Sequence, residues 1–148
     1  MKKLFTLICC AALLGGLAGC SDDDEGEGVL TDPEALIGKW QLVSNYYHYY
    51  EDGAWHTDED YNVETADYND FDLFSGDGTA WSERYSKQGT LLSKHTPTSW
   101  SYSDGILMLD VYPQEIRVLT ETKLVMCEYD GDTIGEGDYE EFIFVRVN

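Results

Sequence analysis

Basic residues are scarce in this 148-residue chain: nine Lys and Arg stand against 29 Asp and Glu, for a net charge of −20. A surface of that sign repels phosphate backbones and anionic lipid heads, which excludes a nucleic-acid role. Histidine is equally sparse, with only His48, His56 and His95. None has a ligand partner at helical spacing, and no serine elbow accompanies them, so the sequence presents no metal or nucleophilic centre built on histidine. Of the four cysteines, three fall within the first twenty residues and Cys127 stands alone in the remainder, which excludes a disulfide there. Cys127 lies in the run Leu124-Val125-Met126-Cys127 and reads as a buried, inert thiol. Beyond residue 19 there is no long apolar run, and Pro is limited to positions 33, 97 and 113.

What is present begins at the N-terminus. Lys2 and Lys3 precede the apolar stretch Leu4 to Leu17, which is shorter than the roughly 20 residues a membrane span needs. The stretch closes on Leu17-Ala18-Gly19-Cys20 and turns at once to Ser21-Asp22-Asp23-Asp24-Glu25. That order is a secretory signal with a small-residue cleavage site. The LAGC motif resembles the lipobox of bacterial lipoproteins, which implies cleavage before Cys20 and acylation of Cys20 with lipid such as palmitate. The acidic run after it resembles the surface-export signal of lipoproteins from gut-type Gram-negative anaerobes. The resemblance implies an outer-membrane, lipid-anchored protein displayed at the cell surface. Residues 1–19 are then a signal peptide, 20–29 an acidic tether and 30–148 a single domain, large enough for one core.

Within the domain, Thr31-Asp32-Pro33-Glu34 is a helix-start signal, and Gly38 stops that short helix. After it come β-rich runs separated by turn residues: 39–49, 71–75, 79–86, 98–103, 106–111, 115–119, 123–129 and 139–147. Gly76-Asp77-Gly78 and Asp104-Gly105 are hairpin signals. The pattern predicts an all-β fold, an eight-stranded antiparallel up-and-down barrel with a short N-terminal helix. Two segments, 51–70 and 87–97, exceed turn length and read as loops bordering a mouth.

Gly38-Lys39-Trp40, opening the first long strand, resembles the G-x-W motif of the lipocalin family. The runs FDLFSGDGTA, WSYSDGILML and IRVLTETKLVM look like the small lipocalin-like domains of those same surface lipoproteins. The resemblance implies that Trp40 plugs the closed end of a barrel, with Arg146 stacked across it. It also implies a small calycin-type barrel with a tendency to bind small molecules; function does not follow from fold alone.

Two groups of residues carry further chemistry. Trp81, Tyr85, Trp100 and Tyr102 alternate along two strands, and Trp55 sits in the acidic loop; together they are candidates for an aromatic pocket or rim. Against the calcium-loop template, Asp130, Asp132 and Glu141 fall at positions one, three and twelve, but Ile134 stands where an oxygen ligand belongs. A glycine-rich hairpin with solvated acids is the simpler reading. The function that follows is a non-enzymatic binding module for a small apolar or sugar-like ligand, with no cofactor. The alternative is a structural or protein-interaction subunit with a solid core, calcium-stabilised and serving an outer-membrane partner protein.

Overall fold

The computed structural model describes residues 30–131 and 133–148. The signal (1–19) and the whole tether (20–29) with Cys20, together with Asp132, lie outside the described residues. The expected short helix is a single 3-10 turn, Pro33–Leu36, capped where Asp32 Oδ1 accepts from the Glu34 amide at 3.0 Å. It goes no further because the Leu36 carbonyl accepts from the Trp40 indole at 2.8 Å instead of from the chain of a second turn.

Ten strands follow: β1 (Gly38–Glu51), β2 (Ala54–Asn62), β3 (Tyr68–Phe74), β4 (Thr79–Ser86), β5 (Leu91–Lys94), β6 (Thr98–Ser103), β7 (Ile106–Leu109), β8 (Tyr112–Leu119), β9 (Lys123–Tyr129) and β10 (Tyr139–Val147). Eight of them close an antiparallel barrel in the order β1, β3, β4, β6, β7, β8, β9, β10, with β10 returning to β1. The expected loops 51–70 and 87–97 are corrected here, because they contain β2 and β5. These are the first halves of two broken barrel legs. β2 pairs with Ser44–Glu51 of β1, and β3 takes up the same edge at Gly38–Gln41. β5 pairs with Glu83–Tyr85 of β4, and β6 takes over at Thr79–Ala80. The first break is the turn after Asn62, whose carbonyl accepts from the Ala66 amide at 2.9 Å; the second falls at Pro97, which cannot donate to a ladder. The remaining difference is small: β7 ends at Leu109, and a turn at Asp110–Val111 starts β8 three residues early.

Two-residue turns at Asp52–Gly53 and Asp104–Gly105 have positive φ at both positions (52° and 83°, 52° and 81°). This is the left-handed pair that matches strand twist in a tight hairpin. The first joins β1 to β2, and beyond His48, the last β1 residue paired to β10, the tip of this hairpin continues as a two-stranded ribbon, Tyr49–Glu51 against Ala54–His56.

The core lies at the closed end. Trp40, Leu36, Leu107, Leu119 and Leu124 are fully buried, with Phe74, Ile116, Met126 and Phe144 packed on them. A fully buried side chain of this size stabilises by about 1.5–3 kcal/mol. Arg146 closes this end from below. Its guanidinium lies 4.2 Å from the Trp40 ring centroid and donates to the carbonyls of Ile37 (2.7 Å), Glu121 (2.6 Å) and Ala35. Gly38 is required beside it: φ is +139°, and a Cβ there would sit 2.7 Å from Arg146 Nη1.

Candidate functional site

Cross-strand register decides which side chains face the barrel interior. Trp40 pairs with Asp72, which pairs with Ser82, so all three share a face. One step toward the mouth, Asp70 pairs with Arg84 on that face; one step toward the floor, Phe74 pairs with Ala80. The interior surface of the β3–β4 hairpin therefore changes from Phe and Ala at the closed end to two carboxylates, a hydroxyl and a guanidinium at the mouth. On the opposite side, Leu42 pairs with Phe144, and Asn45 with Phe142. That wall stays apolar for longer.

Between these walls lies a cavity of about 270 Å³. Leu42, Phe142 and Phe144 line one side; Asp70, Asp72, Ser82, Arg84 and His95 line the other, where Glu83 borders the space between Ser82 and Arg84 while its carboxylate bonds on the outer face. The volume falls just below the roughly 300 Å³ at which drug-sized pockets begin, so an occupant is small. Arg84 is engaged: it donates twice to Asp70, both at 2.7 Å, and its guanidinium covers the Tyr68 ring at 3.9 Å. Asp72 accepts from the Ser82 hydroxyl at 2.6 Å. Burial raises the Asp72 carboxyl above the ordinary carboxylate range, more than the Ser82 bond lowers it; nearby Asp70 raises it further and His95 lowers it. His95 is held at the rim by its amide, which donates to Ser82 O at 2.9 Å at the β5–β6 junction.

The aromatic residues singled out in the sequence do not gather in one place. Trp100 and Tyr102 face inward on β6 and serve the closed end. Trp100 packs edge-on against Phe74 at 5.7 Å and donates to Ser75 O at 3.0 Å, while Tyr102 donates to Leu30 O at 2.9 Å. Trp81 and Tyr85 alternate with the inward Ala80, Ser82 and Arg84, so they face outward. There both donate to Glu83, at 3.0 Å and 2.9 Å, and Lys94 completes the cluster at 3.0 Å. Burial would raise the Glu83 carboxyl, but these donors outweigh it and hold it at about 2. The expectation of one pocket built from both pairs is overturned by this strand register.

Trp55 stands on the ribbon, 57 % exposed, in edge contact with the equally exposed Tyr50 at 5.7 Å. Tyr139 joins them, 6.1 Å from Trp55, with His48 stacked on it at 4.5 Å and Arg117 4.6 Å from its ring. Arg117 also bridges Glu115 (3.1 Å), Tyr129 (2.9 Å) and Glu141 (3.4 Å). Asp130 lies apart from Glu141, accepting from the Tyr47 hydroxyl at 2.9 Å. Among the described residues, no cluster of three His, Cys, Asp or Glu side chains is arranged to hold a metal ion. Cys127 is buried beside Arg117, and burial pushes its thiol up to about 12, which leaves it unreactive.

A second depression, of about 440 Å³, borders Leu30, Ala35, Glu121, Thr122, Arg146 and Asn148 at the closed end. Although larger, it lies outside the barrel, and the Arg146 donors facing it are already bonded to carbonyls. The mouth cavity is the stronger candidate on chemistry rather than size.

Asp70 and Asp72 were legible in the sequence only as members of a weakly spaced acidic group that could gather around a cation; Ser82 and Arg84, their partners across the hairpin, were missed. A signal existed: Asp70 and Arg84 stand seven positions before and after Asp77, the centre of a recognisable turn. Counting outward from that turn puts the two opposite each other. No protein-family model matches this chain, and no curated protein or solved structure is significantly similar to it.

Proposed function

We propose that this chain is a lipid-anchored envelope protein whose lipocalin-like barrel is a non-enzymatic binding module for one small ligand held at the mouth. The observation that carries the reading is the cavity of about 270 Å³, walled by Leu42, Phe142 and Phe144 on one side and by Asp72, Ser82 and Arg84 on the other. An apolar wall facing a few convergent polar groups is the usual composition of a small-molecule site. The polar half argues for an occupant with hydrogen-bonding groups, because a wholly apolar molecule would leave the Asp72 carboxyl desolvated and unanswered. The anchor rests on the LAGC motif at Cys20 and the acidic run that follows it.

Native mass spectrometry of protein purified from its own membranes tests the module: a retained small mass, lost on denaturation, is the expected result. A clean apo mass, together with no thermal shift across a panel of sugars and small amphiphiles, would end the reading. For the anchor, Cys20→Ser should abolish palmitate labelling and release the protein from the membrane fraction.

A protein-interaction role is favoured by a different observation, the exposed Trp55–Tyr50 pair on the projecting ribbon. Paired exposed aromatics at a sheet edge are suited to docking. Loss of a co-purifying envelope partner on Trp55→Ala, with the mouth cavity unaffected, would select that role.

A further inference from the structure

We propose that the mouth cavity takes a small organic cation, a single ammonium group against Asp72 carrying a short apolar body laid on Leu42, Phe142 and Phe144. This rests on the reading of that cavity as the ligand site and names the chemistry it selects.

Four observations converge. First, Asp72 has one hydrogen-bond donor among the described residues, Ser82 at 2.6 Å on Oδ1, which leaves Oδ2 without a protein donor. Second, the guanidinium that lines the cavity is already committed, since Arg84 makes both of its short bonds to Asp70. An anionic ligand would have to displace Asp70 and then face Asp72 as well. Third, the wall opposite Asp72 is apolar and partly aromatic, the surface that suits the body of an amine and the face of its ammonium. Fourth, the chain carries a net charge of −20, so the field over the molecule concentrates cations.

The Asp72 oxygen without a protein donor, at the wall of the cavity, is the deciding feature. Burial raises this carboxyl, and an ammonium beside it would favour its ionised form. A neutral ligand can only donate to it, whereas an ammonium donates and also cancels the charge in a partly dry setting, where such pairing is strongest. Arg84, Asp70 and His95 face the same space from β4, β3 and the β5–β6 junction. Asp70 is neutralised by Arg84, so Asp72 is left as the carboxyl that an incoming cation meets and draws into its ionised form.

The test is isothermal titration of the full chain with 2-phenylethylamine, with 2-phenylethanol as a neutral isostere and with glucose. Saturable binding of the amine is expected, with the alcohol at least about tenfold weaker. Asp72→Asn, which keeps the side-chain shape, should bring the amine down to the alcohol's affinity. A retained cooperative melting transition verifies that this variant is folded. Equal binding of alcohol and amine, or binding of glucose alone, would overturn the cation inference and leave the binding-module reading standing. Failure of all three probes, with no small mass retained by the purified protein, would overturn both.

Discussion

The two ends of this barrel are built from opposite chemistry. At the closed end Trp40 is fully buried, its indole nitrogen is satisfied by Leu36, and Arg146 closes the face with three carbonyl contacts. Among the described residues, no buried side-chain polar atom at that end lacks a partner. At the mouth the same strands carry Asp70, Asp72, Ser82 and Arg84 inward, and Asp72 has one donor where it could take several. A carboxylate held inside a barrel wall lowers stability unless something answers it. The contrast is one of chemistry: the floor is packed and internally bonded, whereas the mouth carries a half-buried carboxyl with a single protein donor, the feature on which the proposed ligand site rests.

Substitutions at the two ends should test this contrast, beginning with the largest effect. Trp40→Ala removes a fully buried ring and should cost about 3–5 kcal/mol by chemical denaturation, near the whole stability of a domain of this size. Arg146→Ala removes a stacked guanidinium and leaves three carbonyls without their donor; about 2–3 kcal/mol is expected in the same assay. Gly38→Ala forces a Cβ toward Arg146 at a positive φ and should cost about 1–3 kcal/mol. If any of these three weakened ligand binding while leaving stability intact, the contrast would break.

At the mouth the expected sign reverses. Asp72→Asn should raise the melting temperature of the free protein by a few degrees, because it removes a desolvated charge and keeps the Ser82 contact. The pH dependence sharpens the same point. The folded pKa of Asp72 is raised, so its contribution to stability is full below the ordinary carboxylate range and is lost as pH rises through the folded value. Glu83, on the outer face, runs the other way. Its carboxyl sits at about 2, so its contribution is present above the ordinary range and is lost as pH falls toward that value. Melting curves from pH 3 to 7 should therefore steepen on the acid side in Asp72→Asn and flatten in Glu83→Gln.

The fold was legible where strands are half-buried. All eight barrel strands have the alternating or apolar runs that burial of one face demands, and Asp104-Gly105 forms the tight turn that its residues favour. β2 was not legible, because Ala54–Asp60 is exposed on both faces of the ribbon and so has no reason to alternate. β5 is exposed throughout its four residues for the same reason. The site was harder to read. Aromatic content drew attention to Trp81 and Tyr85, but the Gly76–Gly78 turn fixes a register that points them outward and turns Asp70 and Asp72 in. A hydrophobic pattern alone favours the reverse assignment, with Phe71 and Leu73 inside. The hairpin register overrides it, and Phe71 instead packs outside against Tyr85 at 5.6 Å beneath Lys39.

The most direct test of this contrast is a two-dimensional NMR titration of the assigned protein with 2-phenylethylamine. Shifts confined to the cavity walls, at Leu42, Asp72, Ser82, Arg84, Phe142 and Phe144, with Trp40 and Arg146 unmoved, are the predicted result. Shifts that cluster on the closed end or on the Tyr50–Trp55 ribbon, with the mouth silent, would contradict it.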